Sequence, residues 1–176
     1  VCLKVHQCYG TGSLISIAGW VLGLLALSNL AMAGATTTGT VGNNVGSPFG
    51  PQTCPGGTYI ASWKIMTGSY QEWAIPYEII HSVQGICSDG TQLQPMGGNK
   101  GVAERSTFPL WYSAIYVGAS ESNVLTSIGS ATGGGRDTNG IMLSCPAGEI
   151  ITGYGGTQGD LVDSLYFVCG TVKASF

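Results

Sequence analysis

A short glycine-flanked loop near the C-terminus carries the side chains of this sequence that are best suited to chemistry. It runs from Gly159 to Asp163, contains a second acid, Asp160, and lies between two apolar arms, EIITGY and SLYFV. An ionised carboxylate accepts strong hydrogen bonds from hydroxyl groups, and glycine lets backbone N–H groups approach a ligand closely. The loop therefore suits a ligand that presents hydroxyl groups, although an Asp here also suits a turn that caps its own backbone.

The rest of the sequence offers no comparable set of residues for catalysis, metal binding or phosphate binding. There is no G-x-S-x-G motif and no serine with a plausible His/Asp partner, and nothing in the pattern positions Glu72 and Glu78 as a carboxylate pair. The loop GYGGTQGD lacks the lysine of a phosphate-binding loop and precedes a strand where a helix is required. We therefore expect no enzyme activity, no cofactor and no metal.

The composition indicates an all-β domain with many turns. Charged residues make up 9% of the chain, glycine occurs 29 times, and short apolar runs are broken by glycine. The net charge is −3 and the lysines and arginines form no cluster. Nucleic acid and anionic membrane are therefore not expected as partners.

The N-terminal segment has the pattern of a secretory signal peptide. Residues 14–27 are an apolar run, and Ala31-Met32-Ala33 is a small-residue cleavage site before Gly34. We expect residues 1–33 to be removed and the mature chain to be secreted, although the run extended to Ala33 also fits an uncleaved anchor. Residues 34–51, rich in Gly, Thr and Asn, fit either a flexible lead or a first strand.

Two segments bounded by cysteines have the sequence of one repeated unit. Residues 54–87 and 145–169 both open with C-P-x-G and close with x-S-apolar-x-x-apolar-C. The cysteines are 33 positions apart in the first unit and 24 in the last. The loop glycine Gly68 lies 13 positions before His81 in the first unit, and Gly159 lies 4 positions before the aligned Asp163 in the last. One insertion in the loop explains both differences. Of the three pairings open to four cysteines, the repeat predicts Cys54–Cys87 and Cys145–Cys169, each across the base of its hairpin.

A fainter third copy lies between these two units. Residues 115–128 parallel residues 153–165 with one extra residue, and this alignment places Thr107 and Thr132 at the two cysteine positions. Three similar groups of strands, each about six residues long, predict three small antiparallel sheets packed around one core with pseudo-threefold symmetry.

The last unit also resembles a known family. Its pattern I-x-G-Y-x-G-x-x-G-x-x-x-D-S-L, from Ile151 to Leu165, is similar to the closing hairpin of jacalin-related lectins. The resemblance implies a β-prism of three four-stranded sheets, with a jacalin-like lectin domain over residues 52–176. It implies a carbohydrate-binding protein without catalysis. In that family, a single chain that is not cleaved slightly favours mannose or glucose as its ligand.

In that family the sugar lies in a shallow pocket between a G-x-x-x-D loop and a glycine-rich loop. Carried over to this chain, the first loop consists of Gly159, Asp160, Leu161, Val162 and Asp163. For the second loop, the first candidate is Gly133, Gly134 and Gly135, and the second candidate is residues 42–50. Asp160 and Leu161 stand where aromatic residues often stack on the sugar, so affinity and sugar preference stay open. A shallow site worth about −4 kcal/mol gains useful avidity through multivalency, which would favour a homo-oligomer.

The insertion in the first unit carries Tyr70, Trp73 and Tyr77. Such an aromatic loop could stack on sugars or dock a protein partner, and Trp73 could equally cover an edge of the core. The alternative function is therefore a structural or protein-interaction module of an extracellular matrix or surface complex.

Overall fold

The computed structural model describes residues 35–69, 79–101, 103–107, 113–129, 131–132 and 140–172. Within these ranges every regular element is a β-strand, and no helix there is long and apolar enough to cross a membrane. The predicted signal peptide at residues 1–33 and the aromatic loop at residues 70–77 lie outside the described ranges.

Thirteen strands lie within the described ranges. They are β1 (Thr36–Thr37), β2 (Val41–Gly42), β3 (Ser47–Thr53), β4 (Ile60–Gly68), β5 (Ile79–Cys87), β6 (Met96–Gly97), β7 (Ala103–Thr107), β8 (Ala114–Ala119), β9 (Leu125–Ile128), β10 (Ala131–Thr132), β11 (Ile141–Ser144), β12 (Ile150–Gln158) and β13 (Val162–Gly170). Residues 34–51, which fit either a lead or a first strand, thus include β1, β2 and most of β3.

The strands form three antiparallel sheets, each built around one hairpin. The hairpins are β12–β13, β4–β5 and β8–β9, and their sheets are called here the first, second and third sheets. The strand that precedes each hairpin in the chain pairs with a different hairpin: β3 pairs with β12, β7 with β4, and β11 with β8. This cyclic exchange links the sheets into a prism and confirms the predicted all-β fold of three small sheets.

The pseudo-threefold relation is visible near the start of the second strand of each hairpin. Ile79, Val124 and Leu161 form one buried cluster, and each lies two residues before the position that Asp163 holds in the last hairpin. Because equivalent residues of three hairpins pack together, the second strands of all three hairpins begin at the same end of the prism. The candidate site is at this end.

The core follows from the two-residue period of the strands. In β4, Trp63 and Ile65 are buried between outward-facing neighbours. The Trp63 ring lies 5.2 Å from the ring of Tyr154 and 5.4 Å from that of Phe167, centroid to centroid, so three aromatic rings from two sheets fill the centre. Burial raises the pKa of the Tyr154 phenol to about 12, so this group is a neutral hydrogen-bonding group of the core.

Both predicted disulfides are present. Cys54 is bonded to Cys87 with a Cα–Cα distance of 5.8 Å, and Cys145 to Cys169 with one of 5.6 Å. The repeat arithmetic thus identified the correct pairing among the three.

The disulfides also tie the sheets to one another. Cys54 follows β3 at the crossover to β4, and its N–H donates to the carbonyl of Thr152 in the first sheet at 2.8 Å. Cys145 occupies the equivalent crossover after β11, and its N–H donates to the carbonyl of Ser113 at 2.7 Å. Each bridge therefore fixes a crossover between two sheets as well as the base of one hairpin.

The proposed third copy holds only up to Ile128. The predicted match of Thr132 with a cysteine position is wrong, because β9 ends at Ile128 and the chain turns at Gly129, which has a φ of 59°. Thr132 then pairs back on β9 opposite Ser127, while Thr107 lies in the second sheet opposite Trp63. The two threonines are therefore in different sheets.

Candidate functional site

The loop from Gly159 to Asp163 is a tight connection between β12 and β13. The N–H of Gly159 donates to the carbonyl of Leu161 at 3.0 Å. The side chains of Leu161 and Val162 are buried, so they anchor the loop to the prism. The loop therefore presents its backbone and its two acids at the surface, and no apolar or aromatic side chain.

Asp163 places a half-buried carboxylate at the end of the prism. Within the described residues the carboxylate has no hydrogen-bond or ion-pair partner, and burial raises its pKa above its usual range. Its backbone carbonyl is fixed, because it accepts a hydrogen bond from the N–H of Asn43 at 2.7 Å. The main chain at this position is therefore held while the carboxylate remains available.

The glycine-rich loop that faces Asp163 is residues 42–46, within the second predicted candidate. Gly46, with a φ of 78°, lies so close that a Cβ there would overlap Oδ2 of Asp163. Gly42 approaches the backbone of Asp163 in the same way, with a φ of 104°. Both positions need glycine, because side chains rarely adopt this conformation and the space is already filled.

The first predicted candidate for that loop is the glycine run that follows β10 in the sequence. Gly133, Gly134 and Gly135 lie outside the described residues. The strand just before them, β10, pairs with β9 of the third sheet, whereas β2 pairs with β13 beside Asp163.

Asp160, unlike Asp163, has a partner for its carboxylate among the described residues. Its carboxylate forms an exposed ion pair with Lys100 at 2.6 Å. Close by, the N–H of Gly97 donates to Oε1 of Gln158 at 2.7 Å, and Gly98 packs against the backbone of Asp160. A loop of the second sheet thus supports the Gly159–Asp163 loop.

The two glycine loops are themselves a repeat that the sequence analysis missed. Residues 42–46 and 97–101 both read G-x-N-x-G. Gly42 pairs with Ser164 and Gly97 with Ser82, at equivalent positions of two hairpins. A search for this pattern beside the cysteine-bounded units would have found the facing loop.

The other two hairpins carry no acid at the position equivalent to Asp163. His81 and Thr126 replace the carboxylate, and both are buried, with 1% and 0% of their surface exposed. Among the described residues, no group of three or more His, Cys, Asp or Glu side chains is placed to hold a metal ion. Of the three equivalent positions, Asp163 alone combines a carboxylate with access from solvent.

Comparison with known proteins identifies the fold. No protein-family model matches the sequence, and no curated protein matches it. Solved structures do match: Calsepa lectin in complex with a biantennary N-glycan has a TM-score of 0.60 at 19% identity, covering 80% of this chain and 99% of that one. Malaysian banana lectin has a TM-score of 0.56 at 18% identity, covering 78% and 99%. The mannose-binding lectin from champedak has a TM-score of 0.56 at 15% identity, covering 79% and 99%.

These matched proteins are jacalin-related lectins, as the sequence pattern suggested. At identities below 20% the likeness establishes the architecture of this chain. The described domain therefore has the β-prism fold of jacalin-related lectins.

Proposed function

We propose that this chain, which has the jacalin-related lectin fold, is itself a lectin that binds sugar hydroxyls between residues 42–46 and the Gly159–Asp163 loop. One observation carries the proposal. The carboxylate of Asp163 is half-buried, faces a glycine loop and has no protein partner within the described residues. A half-buried polar group without a partner is costly, and a ligand hydroxyl would satisfy it.

The surrounding groups suit a sugar ring. Two neighbouring hydroxyls can donate to the Asp163 carboxylate in charge-assisted bonds. Within the described residues the N–H groups of Asp160 and Leu161 have no acceptor, so they are available to donate to sugar oxygens. Val45, 58% exposed in the facing loop, offers an apolar surface for the C–H groups of the ring.

The ligand class follows from the site and from the matched structures. Among those structures are a mannose-binding lectin and a lectin in complex with a biantennary N-glycan. Together with the expectation for an uncut chain, this supports mannose- or glucose-containing glycans as ligands. Binding involves no metal and no turnover. A single shallow site of this kind is worth about −4 kcal/mol, so a homo-oligomer would supply avidity.

The proposed location is extracellular. Two disulfides in a domain of this size are typical of proteins from oxidising compartments. The predicted signal peptide at residues 1–33 supports the same location.

A glycan array with matched variants tests the function. Asp163→Asn keeps the size of the side chain but removes the charge, and we expect it to abolish binding to every glycan that the unaltered protein recognises. Asp89→Asn is the control, because Asp89 is an exposed loop acid that accepts from the N–H of Thr91, and its removal should change no glycan signal. Unaltered binding by Asp163→Asn would refute the site, and no glycan binding even at high valency would refute the lectin function.

A further inference from the structure

A cavity of about 320 Å³ opens on the outer face of the second sheet. Its floor consists of two cross-strand pairs of β4 and β5, Lys64 with Gln84 and Met66 with Ser82. Its rim is formed by Pro95 and residues 97–99. The volume lies near the lower end of the range for small-molecule sites.

In the first sheet, side chains fill the surface at the positions equivalent to the floor of the cavity. The pairs at the equivalent positions there are Gly155 with Tyr166 and Thr157 with Ser164. The Tyr166 phenol lies over Gly155, where a Cβ would come within 2.5 Å of its hydroxyl oxygen. The hydroxyls of Thr157 and Ser164 bond to each other at 2.9 Å. In the first sheet, side chains of the same two cross-strand pairs therefore occupy this surface.

In the second sheet the cavity stays open because the side chains of Gln84 and Lys64 bond to other residues and not to each other. Gln84, at the position of Tyr166, donates its amide N–H to the carbonyl of Leu93 at 2.8 Å, which leaves its amide oxygen for a ligand. The hydroxyl of Ser82 has no partner within the described residues. Lys64 is paired with Glu104 at 2.9 Å, so the positive charge is balanced. These groups match hydroxyls on a neutral ligand and not an anion.

Part of the cavity wall is apolar. The side chain of Met66 and the ring of Pro95 present apolar surface beside the polar groups, to which the Asn99 amide also belongs. A pyranose ring has the same two-sided character, with hydroxyls at its edge and C–H groups on its face. The lining therefore suits a neutral sugar residue.

The cavity adjoins the proposed site. The N–H of Gly97 on its rim donates to the Gln158 side chain, and the neighbouring Lys100 pairs with Asp160. The carbonyl of Gln158, in turn, faces Gly46 of the other glycine loop. One segment, residues 158–160, thus separates the cavity from the pocket at Asp163.

We infer that the cavity is an extended subsite, which binds a further neutral pyranose of an oligosaccharide whose first residue lies at Asp163. The inference rests on the proposed lectin function and adds its ligand class, a branched or linear oligosaccharide instead of a lone monosaccharide.

Calorimetric titration with two sugars tests the subsite. The probes are methyl α-mannopyranoside and the α1-3, α1-6-linked mannotriose. We expect the trisaccharide to bind about tenfold more tightly than the monosaccharide, a change of about 1.4 kcal/mol. Gln84→Tyr copies the closed surface of the first sheet and should reduce that preference to about twofold, the statistical advantage of two terminal residues, with monosaccharide affinity unchanged.

A matched control and a second variant make the result decisive. Ser144→Tyr adds a tyrosine on the exposed strand β11 and should keep the full preference. If Gln84→Tyr does not fold, Met66→Phe fills the cavity from the neighbouring strand and should have the same effect. Equal affinities of the unaltered protein for both sugars, or a preference that survives the filled cavity, would overturn the subsite alone. Absence of binding to either sugar, or full binding by Asp163→Asn, would overturn the proposed function itself.

Discussion

A substitution at Gly46 tests the proposed geometry of the site most sharply. A Cβ there would overlap Oδ2 of Asp163 and lie 2.6 Å from the carbonyl oxygen of Gln158. Gly46→Ala therefore cannot be accommodated without displacing the carboxylate or the glycine loop. We expect it to weaken sugar binding, because the displaced Asp163 carboxylate is the group proposed to accept from the sugar hydroxyls.

The size of the effect has two parts. The backbone part is about 1–2 kcal/mol of stability, the cost of a left-handed conformation for a residue with a Cβ. The steric part acts on Asp163, and loss of one charge-assisted hydrogen bond to the ligand would cost about 1.5–3 kcal/mol. That loss corresponds to a roughly 10- to 150-fold weaker affinity.

Gly148→Ala separates the two parts. Gly148 has a φ of 83°, close to the 78° of Gly46, but a Cβ there would meet nothing within 4 Å. In chemical denaturation both variants should lose the backbone part of the stability. In titration with methyl α-mannopyranoside only Gly46→Ala should lose affinity. Equal affinities of the two variants would refute the contact between Gly46 and Asp163 as a determinant of the site.

The remaining predictions concern charge and covalent structure. Because burial raises the pKa of Asp163 and the ionised carboxylate is the form that accepts hydrogen bonds, acidification should abolish sugar binding at a pH above the pKa of an exposed Asp. A raised pKa in the folded state also means that the contribution of Asp163 to stability is lost as the pH rises through that pKa. Asp163→Asn should therefore be at least as stable as the unaltered protein at pH 7, and a lower melting temperature would contradict this. Replacing Cys145 and Cys169 together by serine opens a loop of 24 positions and should lower the free energy of unfolding by about 3 kcal/mol, whereas an unchanged denaturation midpoint would show that the bridge is dispensable.

The sequence predicted the features that depend on local spacing. The pairing of Cys54 with Cys87 followed from a single insertion between two copies of one hairpin, and the structure confirms it. The three-sheet architecture followed from the same repeat. Both succeed because a hairpin contains its own partners within a few tens of residues.

The facing wall of the candidate site was harder to predict, because it depends on a contact between distant residues. Gly42 pairs with Ser164 across more than one hundred positions, and composition alone does not distinguish residues 42–50 from the run Gly133–Gly135. The third copy was extended too far for a related reason. Strand β9 ends at a turn with a positive φ at Gly129, which the apolar pattern up to Ile128 does not reveal.

The most direct test of the central claim is a titration of the isotope-labelled protein with methyl α-mannopyranoside, followed by backbone amide resonances. The account predicts saturable shifts at Gly46 and Asp163 and at the donors Asp160 and Leu161, all with one dissociation constant, and no shifts in Asp163→Asn. Saturable shifts confined to another part of the prism, with these four amides unmoved, would contradict it.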